Sequence, residues 1–190
     1  MSIKPGFFFR GRIEHDPEGK FRILQPSSIG SSGEVTAEEL PLVSDISPRE
    51  YHVVDDRSVL FVAYGPRNRA YHFGHLPDNV VASSTFYLLR PRPRQLVLRE
   101  EVVLPGYLAW YLNQPIAQAY FEALRGGVSV KMLRRDALGS LELPLPPLEV
   151  QEKVSEVARL SEVEHQLTRQ LLKMRRLFTD TLLLERIHQP

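Results

Sequence analysis

The chain has 190 residues, 43% hydrophobic and 25% charged, with 24 basic against 23 acidic side chains. That length suits one domain with an appendage, and no apolar run approaches the roughly 18 residues of a membrane span. The absence of cysteine excludes disulfides, thiolate zinc sites and a cysteine nucleophile. Together with an opening Met1-Ser-Ile-Lys-Pro unlike a signal peptide, it makes a cytoplasmic location the expectation.

The first third reads as β-rich. Residues 6–13 (GFFFRGRI) and 20–24 (KFRIL) are short apolar or alternating runs on either side of a turn-rich cluster, residues 15–19 (HDPEG). Together they predict a hairpin. Phe7, Phe8 and Phe9 are expected in core and sheet contacts rather than stacked on bases. Residues 26–33 (PSSIGSSG) form a polar connecting loop. Thr36 opens a Thr-Ala-Glu-Glu capping-box pattern, so residues 36–40 are expected to make a helical turn. Residues 43–54 carry no decisive pattern.

Residues 58–64 (SVLFVAY) are the strongest strand, ended by Gly65-Pro66, and residues 80–89 (VVASSTFYLL) are the next. The loop between them, residues 65–79, is rich in Arg, Asn, His and Tyr, and recognition groups tend to sit on such loops. His72 and His75 stand three apart, but Gly74 and Pro77 oppose the helix that would aim both at one metal. No metal is expected.

In residues 105–124, Leu108, Tyr111, Leu112, Ile116, Tyr120 and Leu124 recur at helical spacing, with a break expected at Pro115 and a stop at Gly126-Gly127. Trp110 and its aromatic neighbours are expected in the core. The chain then reaches LPLPPLEVQ (residues 143–151), where Pro144, Pro146 and Pro147 force an extended connector. Pro147 is well placed to open a helix, because its fixed φ suits the first turn and its missing N–H is not needed there. From Leu148 to Gln189 there is neither proline nor glycine. Along this stretch Leu160, Val163, Leu167, Leu171, Met174, Phe178 and Leu182 recur at steps of 3, 4, 4, 3, 4 and 4. One apolar stripe on a helix this long needs something to cover it: a second copy, another subunit or the flank of its own domain.

Net charge is +1, but its distribution is uneven. Residues 64–99 hold six bases (Arg67, Arg69, Arg90, Arg92, Arg94, Arg99) against Asp78, and residues 125–135 hold Arg125, Lys131, Arg134 and Arg135 with no acid before Asp136. Two local positive segments suit a polyanion-binding face. No phosphate-binding glycine loop, nucleophile elbow or zinc-protease helix occurs. Asp16, Glu18 and Lys20 carry the letters of a nuclease site but are packed into one turn, which cannot array them over two strands. The chain offers binding features without a catalytic constellation, and no cofactor is expected.

Several elements in succession resemble one half of the specificity subunit of type I restriction–modification systems. They are DDRSVLFVAYG (55–65), VVASSTFYLLRP (80–91), LPGYLAWYLNQPIAQAYF (104–121), GGVSVKMLRRDALGSLELPLPPLEVQEKV (126–154) and the long terminal helix. The most specific is the ending Leu-Pro-Leu-Pro-Pro-Leu, then Glu-x-Gln, then a helix. The resemblance implies a mixed α/β (α+β) target recognition domain over residues 1–147, reading half of a bipartite DNA site from the major groove. It also implies a coiled-coil-like spacer helix over residues 148–190. The subunit itself would be non-catalytic. Modification subunits would methylate adenine, and a restriction subunit would add cleavage.

A full specificity subunit repeats both parts. Here LPLPPLEVQ occurs once, so the resemblance implies a half-subunit that pairs as a homodimer and reads inverted half-sites. Charge and position, not the resemblance, nominate the DNA-facing residues. Tyr64, Arg67, Asn68, Arg69 and His72 sit just past the strongest strand, where Arg and Asn suit base edges. Ser129, Lys131, Arg134 and Arg135 suit phosphates. The alternatives are a coiled-coil protein-interaction module, or a remnant subunit that binds its partner without reading DNA.

Overall fold

Strand β4 (Val59–Val62) is buried along its whole length, and its alternation divides the core in two. Val59 and Phe61 point to one side with Tyr87 and Leu89 of β7 (Phe86–Arg90); Leu60 and Val62 point to the other with Phe86 and Leu88. The computed structural model describes residues 1–31, 33–65, 68–91, 102–125 and 132–187. Strands β1 (Ser2–Pro5), β7, β4 and β5 (Ala70–Tyr71) form an antiparallel sheet in that order. Helices α1 (Pro105–Leu112), α2 (Pro115–Arg125) and α3 (Arg135–Gly139) cover one face through Leu108, Leu112, Ala117, Phe121 and Leu138. The other face packs on a second sheet of β3 (Leu42–Val43), β2 (Phe21–Leu24) and β6 (Val80–Ala82), with Leu24, Val80 and Ala82 in the shared layer. Ile23, Val43 and Val81 face outward beneath Phe7, Phe9 and Ile13.

The fold is therefore mixed α+β, followed by a long C-terminal helix, α4 (Leu148–Ile187). Its 40 residues span about 60 Å at 1.5 Å per residue. Pro147 stands at its threshold, its carbonyl accepting from Val150 N (2.9 Å) and Gln151 N (3.1 Å). Pro115 separates α1 from α2, as the spacing predicts. Thr36 precedes a 3-10 turn, Ala37–Glu39, although its side chain makes no capping bond.

Two strand expectations are corrected. The hairpin does not form: the first strand lies earlier, at Ser2–Pro5, and pairs with β7, while β2 pairs with β3 and, in parallel, with β6. The FFF run crosses between the sheets instead, with Phe7 N donating to Ala82 O (2.7 Å) and Ser84 N to Phe7 O (2.8 Å). Gly6 permits the crossing, because a Cβ there would lie 2.1 Å from the Ser83 carbonyl oxygen. Phe7 and Phe9 pack on the outer cluster, but Phe8 is 71% exposed. Residues 80–89 are likewise not one strand. A turn closed by Phe86 N donating to Ser83 O (3.0 Å) carries the chain from the second sheet into the first.

Candidate functional site

The proline connector and the root of α4 are tied to α1 by side chains. Gln151 is 1% exposed, and its Oε1 accepts from Leu104 N (3.0 Å). Its Nε2 donates to Val102 O and Pro146 O, both at 2.9 Å. One amide thus joins the segment before α1, the connector and the first turn of α4. Tyr107 and Tyr111 of α1 donate to Pro144 O (2.9 Å) and Glu142 O (3.1 Å). Gly106 lets the helices approach, since a Cβ there would stand 3.0 Å from Ser155 Cβ. The helix root is fixed to the body.

Farther along, α4 leaves the body. Residues 167–187 are all exposed, about 30 Å of helix. All seven stripe residues, Leu160, Val163, Leu167, Leu171, Met174, Phe178 and Leu182, are exposed, from 39% at Val163 to 69% at Met174. At about 100° per residue the stripe lies roughly opposite the face carrying Gln151, Ser155 and Ala158. The flank of the chain's own domain therefore does not cover it. Leu172, Leu177, Leu183 and Leu184 lie off the stripe and are also exposed, so the distal turns are apolar on more than one side.

The loop after β4 holds one correction. Asn68 is fully buried, and its Nδ2 donates to Val62 O at 2.7 Å, which withdraws it from the base-reading set. Neighbouring backbone is held as firmly. Gln118 Nε2 donates to Asn68 O (2.7 Å), while Asn113 accepts from Ala70 N (2.9 Å) and donates to Ala70 O (2.8 Å). Between these fixed neighbours Arg69 is exposed, its guanidinium 5.8 Å from the Tyr71 ring centre. Burial pushes the Tyr71 hydroxyl above the usual tyrosine range, against the pull of the Arg69 charge.

Tyr64 is 52% exposed at the end of β4. His72 is half-buried, its Nδ1 3.2 Å from Ser58 O, and it lines an open groove between α1 and α4 with Arg69, Trp110 and Glu162. Arg134 and Arg135 are exposed at the start of α3, each beside Asp136 at 3.8 and 4.0 Å. Arg67, Ser129 and Lys131 lie outside the described residues, as do Arg92, Arg94, Arg99 and the Gly126-Gly127 stop.

Charge counting overstated the basic face at one point. Arg90 donates to Asp55 (3.2 Å) and to Tyr51 O (3.1 Å) and Val53 O, so it ties the end of β7 to the 3-10 turn Glu50–His52 and the segment after it. Gln151 is the structural residue that the sequence reading left without a role; the only signal was its place in the Glu-x-Gln motif. Among the described residues no three His, Asp or Glu side chains gather as a metal site requires, and no helix is long and apolar enough to cross a membrane. No protein-family model matches the chain, and no curated protein matches it.

Proposed function

We propose that the chain is a sequence-specific DNA-binding subunit of a type I restriction–modification complex, a half-subunit with one target recognition domain. It reads one half of a bipartite site and pairs with a second copy through α4. It carries no catalysis and docks the modification subunits that methylate adenine. The observation that supports this best is the union of two properties in one helix. α4 is locked by Gln151 to a mixed α+β head, yet it turns its apolar stripe away from that head. A helix built so serves to hold two bodies at a set distance.

Charge supports a second copy as the partner. Residues 148–167 carry Glu149, Glu152, Glu156, Glu162 and Glu164 against Lys153 and Arg159. Residues 168–187 carry Arg169, Lys173, Arg175, Arg176 and Arg186 against Asp180 and Glu185. The halves therefore differ in sign, −3 against +3. An antiparallel pair sets each half against its opposite, whereas a parallel pair sets like against like. The apolar residues off the stripe suit a further protein partner, the role taken here by modification subunits.

The burial of Asn68 favours the second reading, a protein-interaction module that does not contact DNA. Fluorescence anisotropy with labelled duplex separates the two. Binding that weakens steeply as salt rises is expected of the DNA-binding subunit. Absence of binding at low salt leaves the interaction module.

A further inference from the structure

Where α4 leaves the head, two arginines 100 positions apart line one polar cleft, Arg69 beside β5 and Arg169 on α4, together with Ser31, Asn113 and Gln118. We infer that Arg69 and Arg169, with the Ser31 hydroxyl, form a phosphate-binding cleft at the junction of head and helix, which takes one backbone phosphate of duplex DNA. The inference rests on the DNA-binding reading and assigns to it a contact that spans both parts of the molecule.

Three observations carry it. First, Arg69 is presented from rigid backbone, because its neighbours Asn68 and Ala70 are bonded by Gln118 and Asn113. Such prior ordering lowers the entropy cost of binding. Second, Arg169 is held toward the same cleft, its Nη1 donating to Ser31 Oγ at 3.2 Å. Third, among the described residues no carboxylate lines the cleft, although Glu162 stands near Tyr71 in the adjoining groove. An anion set in the cleft between two guanidiniums can accept their paired N–H donors. The cleft thereby moves Arg69 from base reader to phosphate contact, a role that fixes position but carries no sequence.

The test uses the full chain and its Arg69→Ala, Arg169→Ala and double variants. Affinity for a random-sequence duplex is measured across a salt series, with helix content checked by circular dichroism. Each single variant is expected to flatten the slope of log affinity against log salt by about 0.9, the value for one phosphate. The double variant is expected to lose no more, since both side chains serve the same anion. Unchanged slopes in the single variants, or losses that add in the double, would overturn the shared cleft while leaving the DNA-binding reading intact. Failure of the unaltered chain to bind duplex would instead overturn that reading. Pyrophosphate then decides the cleft. Thermal stabilisation of the unaltered chain that either substitution abolishes supports the cleft; equal stabilisation, or none, overturns it.

Discussion

The buried side chain of Gln151 makes three hydrogen bonds, all of them to backbone groups. Replacing it with alanine leaves Leu104 N–H and the carbonyls of Val102 and Pro146 without that partner, and buried groups so abandoned cost about 1–3 kcal/mol each. Gln151→Ala is expected to lower stability by about 3 kcal/mol in urea unfolding; a loss below about 0.5 kcal/mol would show that the joint is held by packing alone. Asp55 gives a pH-dependent counterpart. Burial raises its carboxyl pKa, but the Ser58 hydroxyl and the Arg90 charge together outweigh it and hold the group below its ordinary 3.8. A depressed folded value means stabilisation that is fully present above the ordinary value and lost as pH falls through the folded one. The unaltered chain should therefore lose more stability than Asp55→Asn between pH 6 and the acid side of 3.8. Parallel loss in both would contradict the assigned interactions. Asn68 was not legible as a buried residue, because the letters around it, Arg67 and Arg69, are polar and carry no period.

At the scale of elements, legibility follows backbone chemistry. Proline marks the starts of α1, α2 and α4, and each start falls where φ restriction places it. Strand pairing was harder, because the partners in β1 and β7, such as Pro5 and Tyr87, are far apart in the chain and nothing local specifies the match. The polar Ser83-Ser84-Thr85 stretch and Gly6 were the only local signs of the change of sheet, and both are common in unbroken loops. For α4, the period of the stripe located its apolar face but not its direction; exposure shows that it turns away from the body. If this face pairs two copies, Leu171→Glu with Phe178→Glu buries two carboxylates in the seam. Sedimentation equilibrium at micromolar concentration should show dimers for the unaltered chain and monomers for this variant. Dimers in both would place the seam elsewhere.

On the scale of the whole molecule, the proline connector, the Gln151 bonds and α4 act as one rigid connection from head to pairing surface. If two copies pair along α4 as proposed, two heads related by a twofold axis would meet DNA at a separation fixed by the helix. Twofold symmetry requires both heads to read the same sequence in inverted orientation. Exposed Tyr64 and Arg69 lie at the C-terminal end of β4, whereas half-buried His72 stands beside Ser58 at its start. The most direct measurement is selection of bound duplexes from a randomised library with the full chain, followed by sequencing. An enriched inverted repeat with a spacer of constant length is the result expected of a twofold dimer of reading heads. Enrichment of nothing, of a lone half-site or of direct repeats would contradict it.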